Sequence, residues 1–150
     1  MKILLDTNIL VYAHDPADTA RQTQAIALLD RIQLLGIGRL SSQALGEFMN
    51  AVIPPVHDMP PRLTVDEAIL MVQYFINCFE IYPLTPLTII EAGRGVRDHQ
   101  LAYYDAQVWA TARLNQISLL FSEDFNDRAT LEGVHFIHPF AAHFRLDDWV

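Results

Sequence analysis

Short apolar runs alternate with stretches of helical periodicity along almost the whole chain, and this alternation constrains the fold more than any single residue does. Lys2–Leu5, Ile37–Leu40, Glu80–Leu84, Ile117–Phe121 and Val134–Ile137 have the length and apolar character of strands. Between the first two, Asp18–Leu35 carries Ala25, Leu28, Leu29, Ile32 and Leu35 at helical spacing, with Gly36 and Gly38 at its end. The segment opening at Ser41-Ser42 places Leu45, Phe48, Met49 and Val52 at i, i+3, i+4 and i+7. Thr64-Val65-Asp66-Glu67 is a capping box that opens the helix to Cys78. Thr85-Pro86 supplies a cap and a first-turn proline for a helix to about Arg97, and another helix is expected from Tyr103 to Asn115. Asp6-Thr7-Asn8 is expected to be a turn leading into a loop with Pro16, and the proline-rich segment 54–61 cannot be helical. Strands alternating with helices predict an α/β fold with three layers, α/β/α, around a central, mainly parallel sheet. No repeat or linker interrupts the pattern, so residues 1–150 are expected to form a single domain.

In such open sheets, ligands bind outside the carboxyl ends of the strands. Four acids fall there. Asp6 follows the first strand, Glu47 lies on the flank of the apolar stripe of the helix after the second, Asp105 is in the first turn of the Tyr103 helix, and Asp124 follows Phe121. Any one of them has a plain structural use, as a turn former, a solvated helix residue or a partner of the helix dipole. Together they repel one another, so either some protonate or a cation neutralises them. An oxygen-only donor set without a His or Cys cluster favours Mg²⁺ or Mn²⁺ over zinc and suits cleavage of a phosphodiester.

Charge bears on this reading. The chain has a net charge of −8 with ten basic residues, which weighs against passive high-affinity nucleic-acid binding. It weighs less against a nuclease, whose acids can hold the ions that meet the phosphate. The single cysteine, Cys78, excludes a disulfide framework and is expected to be a small buried hydrophobe. No segment reads as a signal peptide or a membrane span, which predicts a cytoplasmic protein. Hydrophobic residues make up 51% of the chain, which suits a face covered by a partner as well as it suits a well-filled core.

The motifs that surround the acids resemble those of PIN-domain nucleases. Met1-Lys2-Ile3-Leu4-Leu5-Asp6-Thr7-Asn8-Ile9-Leu10 is similar to the family's opening, and Ser42-Gln43-Ala44-Leu45-Gly46-Glu47-Phe48 to its second motif. Leu101-Ala102-Tyr103-Tyr104-Asp105-Ala106 looks like the third, and Ser122-Glu123-Asp124-Phe125 with Gly133-Val134 and His138-Pro139-Phe140 like the last. Within the family, the chain most resembles VapC-type toxins of toxin–antitoxin pairs. The resemblance implies a ribonuclease acting on an RNA substrate, with Asp6, Glu47, Asp105 and Asp124 coordinating Mg²⁺ or Mn²⁺. It also implies that Asn8 and Ser122 orient a ligand or water, that an antitoxin protein is a partner, and that the chain is a homodimer. Ala102 departs from the pattern, since the family often has Ser or Thr at this cap.

Two other readings compete. A catalytically silent PIN-like binding module would usually have lost a carboxylate, and none of the four is missing. A haloacid-dehalogenase-like or receiver-like phosphoryl-transfer domain needs a lysine near its site, and the former also needs a second Asp where Asn8 stands; the only lysine is Lys2, at the far end of its strand. Outside the four acids, His99 is expected to be a surface or packed histidine, Arg94 and Arg97 to lie on a solvated helix face, and Trp109 to belong to the core. Asp127 is left between a turn role and a supporting role, and Glu123 is expected to point away from Asp124.

Overall fold

The computed structural model describes residues 1–53 and 62–150; the proline-rich segment expected to be non-helical, with His57, lies outside the described residues. The elements are β1 (Ile3–Leu5), α1 (Thr7–Tyr12), α2 (Thr19–Leu35), β2 (Gly38–Ser41), α3 (Ser42–Val52), α4 (Val65–Cys78) and β3 (Glu80–Tyr82). They continue with α5 (Pro86–His99), α6 (Tyr103–Leu114), β4 (Leu119–Phe121), β5 (Thr130–Leu131) and β6 (Val134–Ile137), then a 3₁₀ turn at Leu146–Asp148. The six strands form one sheet in the order β3-β2-β1-β4-β6-β5, parallel throughout except for the β5–β6 hairpin.

Alternation along the central strand builds the layers. Ile3 and Leu5 point into a core shared with α1, α2, α3 and α4, whereas Leu4 points into a second core with Trp109, Ala106 and Ala110 of α6 and Ala92 of α5. The expected α/β/α architecture is therefore present. A central parallel strand covered on both faces must be apolar at every position, as Ile3-Leu4-Leu5 is.

Local chemistry explains the helix ends. Asp18 caps α2, and Gly36 ends it in the left-handed region at φ 67°. The Ser41 hydroxyl accepts from the Ala44 amide at 3.0 Å to cap α3, while the Ser42 hydroxyl accepts from the Leu84 amide at 2.8 Å. The Thr64–Glu67 box is closed by two reciprocal bonds of 3.1 Å. α6 begins at Ala102 with no side-chain cap.

Two elements differ from the sequence expectation. Residues 7–12 form the helix α1 instead of a turn and loop, because Asp6 caps them and Ile9 and Leu10 drive into the first core. Six residues are too few to show a period, so this helix is made by burial. The β5 strand was also unexpected; it is held by a two-residue turn with Glu132 and Gly133 both at positive φ, 48° and 86°. Cys78 is only partly buried, and its sulfur accepts from Gln33 Nε2 at 3.2 Å, so it is less enclosed than expected.

Candidate active site

The carboxyl edge of the parallel strands is built from four chain segments. Asp6 leaves β1, Ser122 leaves β4, Glu47 is the sixth residue of α3, and Asp105 is the third of α6. α6 feeds the start of β4 through Asn115–Ser118, so its N-terminus lies at the opposite, carboxyl edge. Parallel pairing of Leu5 with Phe121 brings Asp6 beside Ser122, and the Asp6 amide donates to the Phe121 carbonyl at 3.0 Å.

Ser122 is the hub. Its buried hydroxyl donates to Asp6 Oδ2 at 2.6 Å and accepts from the Asp124 amide at 3.0 Å and from Asn8 Nδ2 at 3.3 Å. Asn8 Nδ2 also donates to Asp124 Oδ2 at 3.1 Å, and the Thr7 amide donates to Asp6 Oδ1 at 2.7 Å. Glu47 is held separately: Thr7 Oγ1 donates to its Oε2 at 2.8 Å and Gln43 Nε2 to its Oε1 at 2.9 Å. The same Gln43 nitrogen reaches the Tyr104 carbonyl at 3.0 Å, tying α3 to the turn that carries Asp105.

These contacts hold carboxylates with neutral donors, so the negative charge is left uncompensated. Burial pushes the Asp6 carboxyl up to about 7 against the pull of its Ser122 and Thr7 hydrogen bonds, and the charges of Asp124 and Glu47 raise it further. Asp105 is also raised, first by burial and then by Asp124 and Glu47. Asp6 and Asp105 thus each lie within electrostatic reach of Asp124 and Glu47 at this edge. Among the described residues, however, no three His, Cys, Asp or Glu side chains form a ready-made metal cage.

The donor set nevertheless fits a hard divalent ion. All donors are oxygens, and Asn8 Oδ1 and Gln43 Oε1 are buried acceptors without a partner among the described residues. Small hard cations keep several waters and need few direct protein ligands, so an open carboxylate rim with spare acceptors suits Mg²⁺ or Mn²⁺ better than a closed cage would.

Thr7 and Gln43 belong to this edge and were not singled out from sequence. Gln43 stands one helical turn before Glu47, a spacing that marks it as a neighbour. Other acids are committed elsewhere. Glu123 accepts from Tyr12 Oη at 2.8 Å and pairs with Arg21. Asp127 accepts from the His138 amide and from His143, each at 2.7 Å, which fastens the C-terminal segment. His99 and Arg94 both bind Glu132, so Arg94 is engaged in a partly buried network instead of lying on a solvated face as expected; Arg97 is exposed and pairs with its neighbour Asp98, and Trp109 is fully buried as expected. Lys2 donates to the Tyr82 hydroxyl, on another strand, at 3.1 Å.

Three solved structures illustrate the similarity. A toxin–antitoxin complex from Klebsiella pneumoniae matches with a TM-score of 0.64 at 18% identity, over 93% of this chain and 98% of that one. VapC20 of Mycobacterium tuberculosis, described as a sarcin-ricin-loop-cleaving toxin, matches with a TM-score of 0.63 at 18% identity, over 87% and 98%. DNA-bound VapBC from Salmonella typhimurium matches with a TM-score of 0.63 at 16% identity, over 91% and 96%. At these identities the likeness is one of fold. No curated protein sequence gives a significant match. The sequence itself matches the PIN domain profile over residues 3–129, and with the fold and the acidic edge already in place, the chain belongs to the PIN-domain family.

Proposed function

We propose that this chain is a metal-dependent endoribonuclease whose Asp6, Glu47, Asp105 and Asp124 hold Mg²⁺ or Mn²⁺ and whose Asn8 and Ser122 orient the acidic residues. The observation that carries the proposal is that the carboxylates gathered at this edge are held by hydroxyl and amide donors, so their charge is left uncompensated, and burial raises Asp6 in keeping with that. A carboxylate in that state gains most from an added cation. A divalent ion, when bound, supplies Lewis acidity toward a phosphoryl oxygen and toward attacking water. The chain's own groups do the rest. Ser122 and Asn8 fix the Asp6 and Asp124 oxygens, Thr7 and Gln43 fix both oxygens of Glu47, and Asp105 accepts no side-chain hydrogen bond among the described residues.

The same proposal extends to a toxin role with an antitoxin partner and a homodimeric state. Relatives of this fold were crystallised in toxin–antitoxin complexes. Large apolar side chains are also exposed on successive helices, among them Leu70 and Ile76 on α4 and Leu87 and Ile90 on α5. Incubation of the purified chain with end-labelled RNA tests the enzyme. Cleavage is expected with Mg²⁺ or Mn²⁺ and is expected to vanish with EDTA and in Asp6→Asn. Full activity in Asp6→Asn, or no cleavage of any cellular RNA, overturns the nuclease assignment. Growth arrest on expression alone, relieved by the product of a small neighbouring reading frame, tests the toxin role separately.

A further inference from the structure

Beside the acidic edge lies an open cleft of about 450 Å³, with Asp105 and Asp124 on its rim. That volume is in the range of sites that take small organic groups. One wall is the α5–α6 connection, where Gln100 turns the chain at φ 55°. The other is the segment that follows Asp124 and runs into β5. Phe125 and Phe136 line the interior and are stacked at 4.3 Å between centroids, 13° from parallel. Phe136 is buried beneath, and Phe125 is the half-exposed member.

The walls are firmly set. The Phe136 carbonyl accepts from the Arg128 amide at 2.7 Å, the Phe136 amide donates to Ala129 at 2.9 Å, and Trp109 Nε1 donates to the Leu131 carbonyl at 3.2 Å. Among the polar residues that line the cleft, the Asn126 amide group makes no hydrogen bond in the described structure. A fixed aromatic face next to an unengaged amide is the pair of groups that recognises a flat heterocycle with donors and acceptors on its edge.

Charge points the same way. Among the described residues, seven of the nine arginines are paired with carboxylates, namely Arg21, Arg31, Arg39, Arg62, Arg94, Arg97 and Arg113. Few cations remain to track a phosphate backbone, so little affinity for a polynucleotide comes from phosphate contacts. Contacts to bases must supply more of it.

We propose that this cleft is a base-binding subsite, which takes one unpaired RNA base on the face of Phe125, with Asn126 hydrogen-bonding to its edge, next to the phosphate held at the acidic rim. The proposal rests on the nuclease reading above and names where that site obtains its sequence preference. A paired base is stacked on both faces and has its edge occupied, so the cleft selects single-stranded segments.

The test is a titration of the ¹⁵N-labelled full chain, in Mg²⁺, with the four ribonucleoside 5′-monophosphates and with ribose 5-phosphate. At least one nucleotide is expected to shift the Phe125, Asn126, Ala129 and Thr130 amides to saturation, whereas ribose 5-phosphate leaves them in place. Phe125→Leu, which keeps an apolar contact on Phe136, is expected to weaken that binding at least three-fold. Asn126→Ala is expected to change the ranking of the four bases. Equal shifts from ribose 5-phosphate, or unmoved amides with every nucleotide, overturn the subsite. RNA cleavage by a chain whose amides do not move removes the subsite and leaves the nuclease. Amides that move in a chain that cleaves no RNA remove the nuclease and leave the base-binding cleft.

Discussion

Two clusters of acids, on different parts of the same chain, are treated in opposite ways. At the carboxyl edge, Asp6, Glu47, Asp105 and Asp124 are held by hydroxyls and amides, and burial with mutual repulsion raises Asp6 and Asp105. On the α5–α6 face, Glu91 and Glu132 are clasped by Arg94 and Arg113, with His99 donating to Glu132 as well. There the carboxyls fall, Glu132 to about 2 under the Arg94 and His99 contacts, and Glu91 below its ordinary range chiefly through Arg94. The guanidinium of Arg94 also lies 5.4 Å from the centre of the buried Trp109 ring. Acids that serve the fold have arginines packed against them in the tertiary structure. Acids left without them are relieved either by taking up a proton or by a cation from outside.

The sharpest way to break this contrast is to remove one acid from each cluster. Asp105→Asn is expected to lower metal-dependent RNA cleavage by roughly 10³-fold without lowering the melting temperature, since loss of a group acting on the transition state costs a few kcal/mol there and nothing in folding. A melting temperature that falls with activity would place Asp105 among the structural acids. Glu132→Gln is expected to do the reverse, keeping cleavage and losing about 1 kcal/mol of stability from a partly exposed network.

The pH dependence of stability separates the clusters by sign. Asp6 in the metal-free chain takes up its proton at about 7, against an ordinary 3.8 when unfolded. The folded state therefore holds the extra proton between those values, and stability falls as pH rises from about 4 to 7. Glu132 works the other way. Its contribution is present above an ordinary 4.5 and is lost as pH falls toward 2. Thermal melts in EDTA are expected to show the first slope in the parent chain and a flattened one in Asp6→Asn. Added Mg²⁺ is expected to raise the melting point more at pH 8 than at pH 5. Equal slopes in parent and variant would mean that Asp6 is not the group responsible.

The smallest expected change refines the acidic edge itself. Ala102 leaves the first turn of α6 without a side-chain cap, and the backbone there, φ −61° and ψ 144°, suits a serine. Ala102→Ser is expected to add about 0.5–1 kcal/mol of stability, read by chemical denaturation. No gain would show that packing of Trp109 and its neighbours already holds that helix end.

The periodic elements were legible because burial imposes a period. The runs around β1, β2, β4 and β6 and the stripe of α2 are repeated over enough residues to be read without a structure. α1 was not, since its six residues owe their helix to Ile9 and Leu10 meeting the core and to the Asp6 cap. β5 depends on a pairing with β6 across the Glu132-Gly133 turn, and two residues carry no pattern. At the acidic edge, Asp6 stood out as a charge directly after an apolar strand, and Glu47, Asp105 and Asp124 stood out only as a set, by their places at the ends of elements and by the family-like motifs around them. Thr7 and Gln43 did not, because a threonine in a turn and a glutamine in a helix have no distinguishing chemistry until the carboxylate they face is in place.

The amino-acid order by itself determined which segments become strands and helices, and hence that four acids reach the same side of a parallel sheet, because both follow from local periodicity and from the handedness of the crossovers. Only the packed chain decided which acids acquire a cation. Arg94 and Arg113 meet Glu132 from elements far apart in sequence, while among the described residues no arginine is paired with Asp6. Proximity in space sets electrostatic compensation, and the sequence lists charges without their distances.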